Sequence, residues 1–215
     1  MILLGSGRTA DVYALDDHRV LRRYRERGEV TREAMMMAHV AAHGFPAPTV
    51  LSAAGADLVM ERLYGPVLLD AVAAGDHDAR DAGRVLADLH ARLHAVPARS
   101  GAPDDRVLHL DLHPANVVLR PRGPVLIDWT NATDGPPDLD VALTAVILAQ
   151  AAVEPGQVYS EVARVMLEAF VVATGRQTLH LLDAAIARRS ADRSLTSAEV
   201  ALLDEAAALI EATAQ

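Results

Sequence analysis

The chain contains no cysteine and no lysine. Without cysteine there is neither a disulfide framework nor a thiolate zinc site, and a reducing compartment fits the composition. Without lysine, all 20 basic residues are arginine. That excludes a Walker A loop, whose lysine is obligatory, and any Schiff-base mechanism through a lysine amine. Long apolar runs are also missing. Met1 to Leu4 meets Gly5 with no basic leader and no extended apolar segment, so no signal peptide is expected. The most apolar helical stretch, residues 140–153, falls short of the roughly 20 residues that cross a bilayer. The expectation is a soluble, cytoplasmic protein.

What is present suits a folded protein. A chain of 215 residues with 51% hydrophobic content buries a core as one compact domain or two small lobes. The net charge of −9 is uneven: residues 1–125 hold 16 acidic against 15 basic side chains, residues 126–215 hold 13 against 5. An acidic half repels the phosphates of nucleic acids and anionic membranes, so neither is an expected partner. It favours a cationic small molecule, unless it is only a solvated acidic surface.

The first part reads as β-rich. Strands are expected at residues 2–4, 11–15 and 19–24, with a glycine-bearing loop after the first. A helix follows, with Thr31 as its cap and Gly44 as its end. Two short strands follow near 49–52 and 57–61. From about residue 66 the pattern turns helical. Val85, Leu86, Leu89 and Leu93 recur at helical spacing over 79–95, and helices resume from 140, the last opening on a capping box of Thr196 and Glu199. Met35, Met36 and Met37 read as core filling. Asp138 and Asp140 read as hydrogen-bond anchors for the helix they begin.

Between the helical segments lies "HLDLHPANVVLRPRGPVLIDW", residues 109–129. Asn116 precedes one apolar run, Asp128 follows another, and "RPRGP" supplies turn chemistry between them. Counting inward from 116 and 128 meets at Arg122, a register that sets Asn116 opposite Asp128. An amide and a carboxylate oxygen brought together suit Mg²⁺, which binds few protein groups and keeps positions for water and phosphate. Asp111, in a loop stiffened by Pro114, leans toward the same point. A carboxylate beside a magnesium-holding pair is the arrangement that phosphoryl transfer requires.

These residues resemble the H-G-D-x-H-x-x-N and I-D-W signatures of the aminoglycoside phosphotransferase family, relatives of the protein kinases, with Leu110 and Ala115 in place of the usual glycines. "LLGSGRTADVYAL" resembles the family's glycine-rich loop, "RVLRRY" its phosphate-binding strand, "VMERLYG" its hinge, "LADLHARLH" the helix before the catalytic loop and "GPPDLDVAL" its G-D-P-x-x-D-x-A segment. The resemblance implies an α+β, bilobal protein-kinase-like fold, with a small β-rich lobe over residues 1–62 and a larger, mainly helical lobe over 63–215. It implies a phosphotransferase acting from ATP or GTP with Mg²⁺ on a hydroxyl of a small molecule: an aminoglycoside, another antibiotic, an amino alcohol or a sugar. Gly5, Ser6 and Gly7 would cover the phosphates. Arg22, on one strand face with Val20, would hold them where the family has lysine, with Glu33 orienting it. The backbone of Glu61 to Leu63 would bind the base. Asn116 and Asp128 would hold the metal, Asp111 would take the acceptor hydroxyl, and His113 would brace Asp111. His109 would support the loop by hydrogen bonding.

Three other readings compete. "HLDLH" with His90 and His94 at i, i+4 is a zinc motif in outline, but it lacks the glutamate of H-E-x-x-H. A protein kinase would need an A-P-E segment and an extended activation loop, for which the residues between Asp128 and Asp140 leave no room. A nucleotide-binding regulatory protein without turnover follows from Arg22, because arginine and lysine are not interchangeable at a tight phosphate site. Oligomeric state is not legible.

Overall fold

Five antiparallel strands in the order β1-β2-β3-β5-β4 form the first layer: β1 Ile2–Ser6, β2 Ala10–Ala14, β3 Arg19–Tyr24, β4 Val50–Ala54 and β5 Asp57–Glu61. The computed structural model describes residues 1–7, 9–25, 30–156 and 158–214, with the backbone alone for 176–178. β1 runs two residues further than expected: Gly5 pairs with Val12 and Ser6 with Asp11 across a bulge after Leu3. Only Gly7 of the three loop residues lies outside the strand, and Arg8 is outside the described residues. Helix α1, Val30–Ala42, covers this sheet. It already includes Val30, so Thr31 lies within it rather than at its cap, and Gly44 follows its end at φ 79°. Its inward face carries Met36 and Met37, whereas Met35 points outward, 47% exposed, and is not core.

The rest is mainly helical: α2 Leu68–Ala73, α3 Ala79–Leu93, α4 Pro137–Val153, α5 Ser160–Thr174, α6 Leu182–Ser190, α7 Ser197–Ala201 and α8 Leu203–Thr213. Asp78 caps α3 by accepting from the backbone N–H groups of Arg80 and Asp81. The expected capping box is formed at α7: Thr196 Oγ1 accepts from Glu199 N, and Glu199 Oε2 accepts from Thr196 N. α4 is apolar on nearly every side and is the central helix, wrapped by α5, α6 and α8, as a helix without a polar face must be. α3 lies against α5 at a distance that glycine permits, since a Cβ on Gly83 would stand 2.5 Å from Met166 O.

The segment of residues 106–135 sits between these layers. β6, Arg106–Leu108, pairs with β9, Thr133–Gly135, and β7, Val117–Arg120, pairs with β8, Gly123–Leu126. The hairpin register differs from the expected one by a residue. Arg120 faces Gly123 and Val117 faces Leu126, so a two-residue turn at Pro121 and Arg122 replaces a turn centred on Arg122. Asn116 therefore lies opposite Ile127, whose N–H donates to Asn116 O at 2.9 Å, and not opposite Asp128. Gly65, at φ 142°, crosses the hairpin so closely that any Cβ would overlap Leu119 O. Trp129 is fully buried against Phe45 of the first layer and His109 of the second, edge-on to both rings.

Candidate active site

Two neighbouring backbone distortions shape the site. Among the described residues, Leu110 (φ 61°) and Asp128 (φ 64°) are the two non-glycine residues with positive φ. Such conformations cost roughly 1–3 kcal/mol each and persist only where surrounding contacts enforce them. At Leu110 the enforcing group is Asp140. Its Oδ1 accepts from Leu110 N at 2.7 Å and its Oδ2 from His109 N at 3.0 Å. Asp140 is fully buried. Burial alone would raise its carboxyl, but His90 and His94 outweigh it, and the group lies well below the usual carboxylate range. Asp140 thus anchors the loop before Asp111 and not chiefly its own helix, a role that spacing along the chain does not reveal.

The same trio answers the zinc reading. His90, His94 and Asp140 offer ligand atoms within 4.8 Å of one another. Both carboxylate oxygens of Asp140, however, already accept backbone N–H groups, His94 Nε2 lies 3.1 Å from Oδ2, and His90 Nε2 lies 2.9 Å from Thr144 Oγ1. Thr144 in turn donates to Leu112 O at 2.7 Å. The three side chains form a hydrogen-bonded brace beneath the loop.

Above the brace, His109 is fully buried and its Nε2 donates to Ile127 O at 3.1 Å, tying the loop to the end of the hairpin as expected. Asn116 Nδ2 faces three acceptors: Asp111 O at 2.9 Å, His113 Nε2 at 3.1 Å and Asp111 Oδ2 at 3.4 Å. These acceptors fix the amide nitrogen on their side, so its oxygen is turned the other way. His113 sits closer to Asn116 than to Asp111, whose Oδ1 is 3.7 Å away. Burial first, then the charges of His109 and Arg189, push the His113 imidazole down to about 4, so it is a neutral acceptor that orients the amide. Asp111 is partly buried. That burial, together with the charge of Asp128, pushes its carboxyl up to about 7 against the pull of Arg189.

The first layer delivers a cation to the same place. Arg22 Nη1 pairs with Glu33 Oε1 at 3.0 Å, while Nη2 reaches Asp128 Oδ1 at 2.7 Å and Thr130 Oγ1 at 3.0 Å. Tyr24 OH donates to Glu33 Oε2 and lies 2.8 Å from Thr130 Oγ1. Burial opposes the charge on Arg22, but Asp128 and Glu33 prevail and hold its proton more tightly than usual. Burial raises the Glu33 carboxyl, with Arg22 and Tyr24 acting against it. Burial of Asp128 is likewise outweighed by Arg22, which keeps that carboxyl low. The sequence reading missed Tyr24 and Thr130. The alternation of β3 carried the first signal, since Val20, Arg22 and Tyr24 share a face; Thr130 carried none, because its place depends on the turn at Asp128.

A cavity of about 270 Å³ joins these groups. Val12, Val20, Met60, Leu63, Val118 and Ile127 give it apolar walls, Leu4 and Gly7 border it, and Arg22, Glu33 and Asp128 close its charged end. Glu61 also lines it, and its carboxylate bridges the layers by accepting from Arg120 Nη1 at 2.8 Å and Thr49 Oγ1 at 3.2 Å. Gly5 and Ser6 stand beside the cavity and not in its lining. The Ser6 hydroxyl donates to Asp11 at 2.6 Å and accepts from Arg25, whereas a Cβ on Gly5 would meet nothing within 4 Å. The residues fit a hard divalent cation: an amide oxygen left outward by its own hydrogen bonds, and an ionised carboxylate with one oxygen engaged by Arg22 and Thr130.

A small antiparallel-sheet lobe and a larger helical lobe with a charged cleft between them define the protein-kinase-like fold. The model of the phosphotransferase enzyme family APH matches residues 1–106 and 98–164, and the chain belongs to that family. Solved structures share the fold. The chain is similar to apo aminoglycoside phosphotransferase APH(4)-Ia in a thermostable mutant form (TM-score 0.59, 13% identity, 99% of this chain and 94% of that one). A ternary complex of that enzyme with AMP-PNP and hygromycin B gives 0.58 at 13% identity, over 99% and 93% of the two chains. Amicoumacin kinase hAmiN, in complex with AMP-PNP, Ca²⁺ and Ami, gives 0.56 at 12% identity, over 97% and 87%. No curated protein matches the sequence.

Proposed function

We propose that the protein transfers the γ-phosphoryl group of ATP or GTP to a hydroxyl of a small molecule, with Mg²⁺ as its metal. The observation that carries this reading is the cavity whose apolar walls end at Arg22, Glu33 and Asp128, with Ile127 of that wall hydrogen-bonded to Asn116 and Asn116 in turn to Asp111. Apolar walls near Leu63 suit a base, and the charged end suits phosphates. The division into a nucleotide lobe, 1–62, and a catalytic lobe, 63–215, accords with this reading, as do the structures of relatives that hold nucleotide analogues.

Asn116 and Asp128 would hold Mg²⁺, which when bound neutralises charge on the phosphates. Backbone N–H groups near Gly7 would cover the phosphates, and Arg22 would turn part of its fork from Asp128 to phosphate oxygens while Glu33 keeps the rest in place. Asp111 would accept a hydrogen bond from the acceptor hydroxyl and align it for in-line attack, with His113 acting through Asn116.

Labelled γ-phosphate transfer over a panel of hydroxylated metabolites and aminoglycosides tests this. Asp111→Ala is expected to lower turnover by about 100-fold or more while sparing nucleotide affinity; an unchanged rate removes Asp111 from the role. Asp128→Ala is expected to abolish Mg²⁺-dependent nucleotide binding. The Arg22–Asp128 ion pair also favours a second reading, a nucleotide-binding regulator in which the arginine stands where a metal-bound phosphate would compete. Mg²⁺-dependent thermal stabilisation by ATP, with no phosphate release under any acceptor, would select the regulator.

A further inference from the structure

A second cavity, about 430 Å³, opens on the helical lobe beside Asp111. Leu110, which precedes Asp111, and Asn131, three residues beyond Asp128, form one side; Arg188, Arg189 and Asp192 at the end of α6 form the other. Arg189 and Asp192 lie close enough to the Asp111 carboxyl to act on its charge. Leu110 lines the cavity and Asp111 follows it in the chain, so a molecule filling this space would lie against the loop that carries Asp111.

The charges here run against those of the surrounding half of the chain. Residues 126–215 hold five arginines, and two of them line this cavity. Arg189 is already committed, its Nε to Gln150 Oε1 at 2.8 Å and its Nη1 to Asp192 Oδ2 at 3.4 Å. Arg188 has no ion-pair or hydrogen-bond partner among the described residues, and it borders the cavity as a whole positive charge. Screening limits regional acidity to about 8 Å at physiological salt, so local groups decide what enters.

We propose that this cavity is the acceptor site and takes an anionic acceptor, a small hydroxylated molecule bearing a carboxylate or phosphate group that Arg188 binds while the hydroxyl meets Asp111. The proposal rests on the phosphotransferase reading above and specifies its substrate class; it replaces the cationic acceptor that the overall charge favours. In the reaction the acceptor oxygen bonds to Pγ as the bond from Pγ to the β,γ-bridging oxygen breaks. The nucleoside diphosphate leaves, and the hydroxyl proton passes to Asp111 and then to solvent. Arginine suits the oxyanion because its planar fork matches two oxygens at once.

Matched acceptors test it: glycerate against glycerol, glucose 6-phosphate against glucose, and ethanolamine and kanamycin as cations. Transfer is expected to the anionic member of a pair in preference to the neutral one, and which pair responds separates carboxylate from phosphate. Arg188→Glu should raise KM for the anionic acceptor by about ten-fold or more, with kcat and the KM for ATP nearly unchanged. Arg84→Gln, a charge change on α3, should leave that KM as it is. Preference for the cations, or a KM indifferent to Arg188→Glu, overturns the proposal. If no acceptor is phosphorylated, the transferase reading fails on its own terms, and the anion site is judged by thermal shift with glycerate and glucose 6-phosphate without nucleotide. A shift present in the wild type and lost in Arg188→Glu supports the site; no shift in the wild type overturns it.

Discussion

Asp140 Oδ1 holds Leu110 N at 2.7 Å, and Leu110 is the residue driven into the left-handed region immediately before Asp111. One buried carboxylate therefore maintains the strain that aims the loop. Asp140→Ala would leave two backbone N–H groups and His94 without their acceptor. A loss of about 3–5 kcal/mol is expected by urea denaturation, with a fall in transfer rate larger than the fall in folded fraction. The folded carboxyl lies below its ordinary range, so its stabilisation is complete above the unfolded-state value of about 3.9 and disappears as pH falls through the folded one. The stability gap between wild type and Asp140→Asn should accordingly narrow in acid.

Arg22 spans two acids with separate nitrogens, Glu33 from Nη1 and Asp128 from Nη2. An ammonium is a single point and cannot reproduce that span. Restoring the family's lysine by Arg22→Lys is expected to destabilise the ligand-free protein by about 1–3 kcal/mol. Arg22→Ala should cost about 3–5 kcal/mol, because Glu33 stays buried without its cation. Denaturant midpoints of the two variants check the order; an Arg22→Lys protein as stable as the wild type would contradict it.

Asp111 is poised at the expense of the fold. Its carboxyl is pushed up to about 7, so the folded protein binds this proton more tightly than the unfolded chain. Stability falls as pH rises from about 4 toward that value. In EDTA, without nucleotide, Asp111→Asn should be more stable than wild type by about 1–2 kcal/mol at pH 8, and the difference should vanish near pH 4. Thermal melts across that range decide it. The same variant should be inactive.

Gly83 marks the crossing of α3 and α5. A methyl group there would stand 2.5 Å from Met166 O and 2.9 Å from the Ala169 Cβ. Gly83→Ala is expected to cost about 1–3 kcal/mol, although alanine is the better helix former by about 1 kcal/mol. A melting temperature equal to or above that of the wild type would show that the helices separate freely.

Much of the fold was legible because its signals are local. The alternation of Val20 and Arg22, the turn residues of 120–124 and the capping box at Thr196 each depend on neighbours a few residues apart, and each is found in place. Extended order along the chain identified the family from motifs that individually say little. The register of the hairpin was misjudged by one residue, because symmetry about Arg122 counts residues and not the geometry of a two-residue turn. Asp128 reaches its place through a left-handed residue that no alternation pattern encodes.

By itself the sequence determined a β-rich first part, a hairpin set among later helices, the candidate acids and amide, and the absence of lysine that leaves arginines, Arg22 among them, as the cations of the cleft. Only the tertiary structure decided that Arg22 bridges Glu33 and Asp128, that Asp140 supports Leu110 from 30 residues away, and that Arg188 borders the cavity beside Asp111. The physical reason is that spacing and side-chain chemistry are written along the chain. The burial, charge and hydrogen bonds that assign each group its role arise only when distant segments exclude water together.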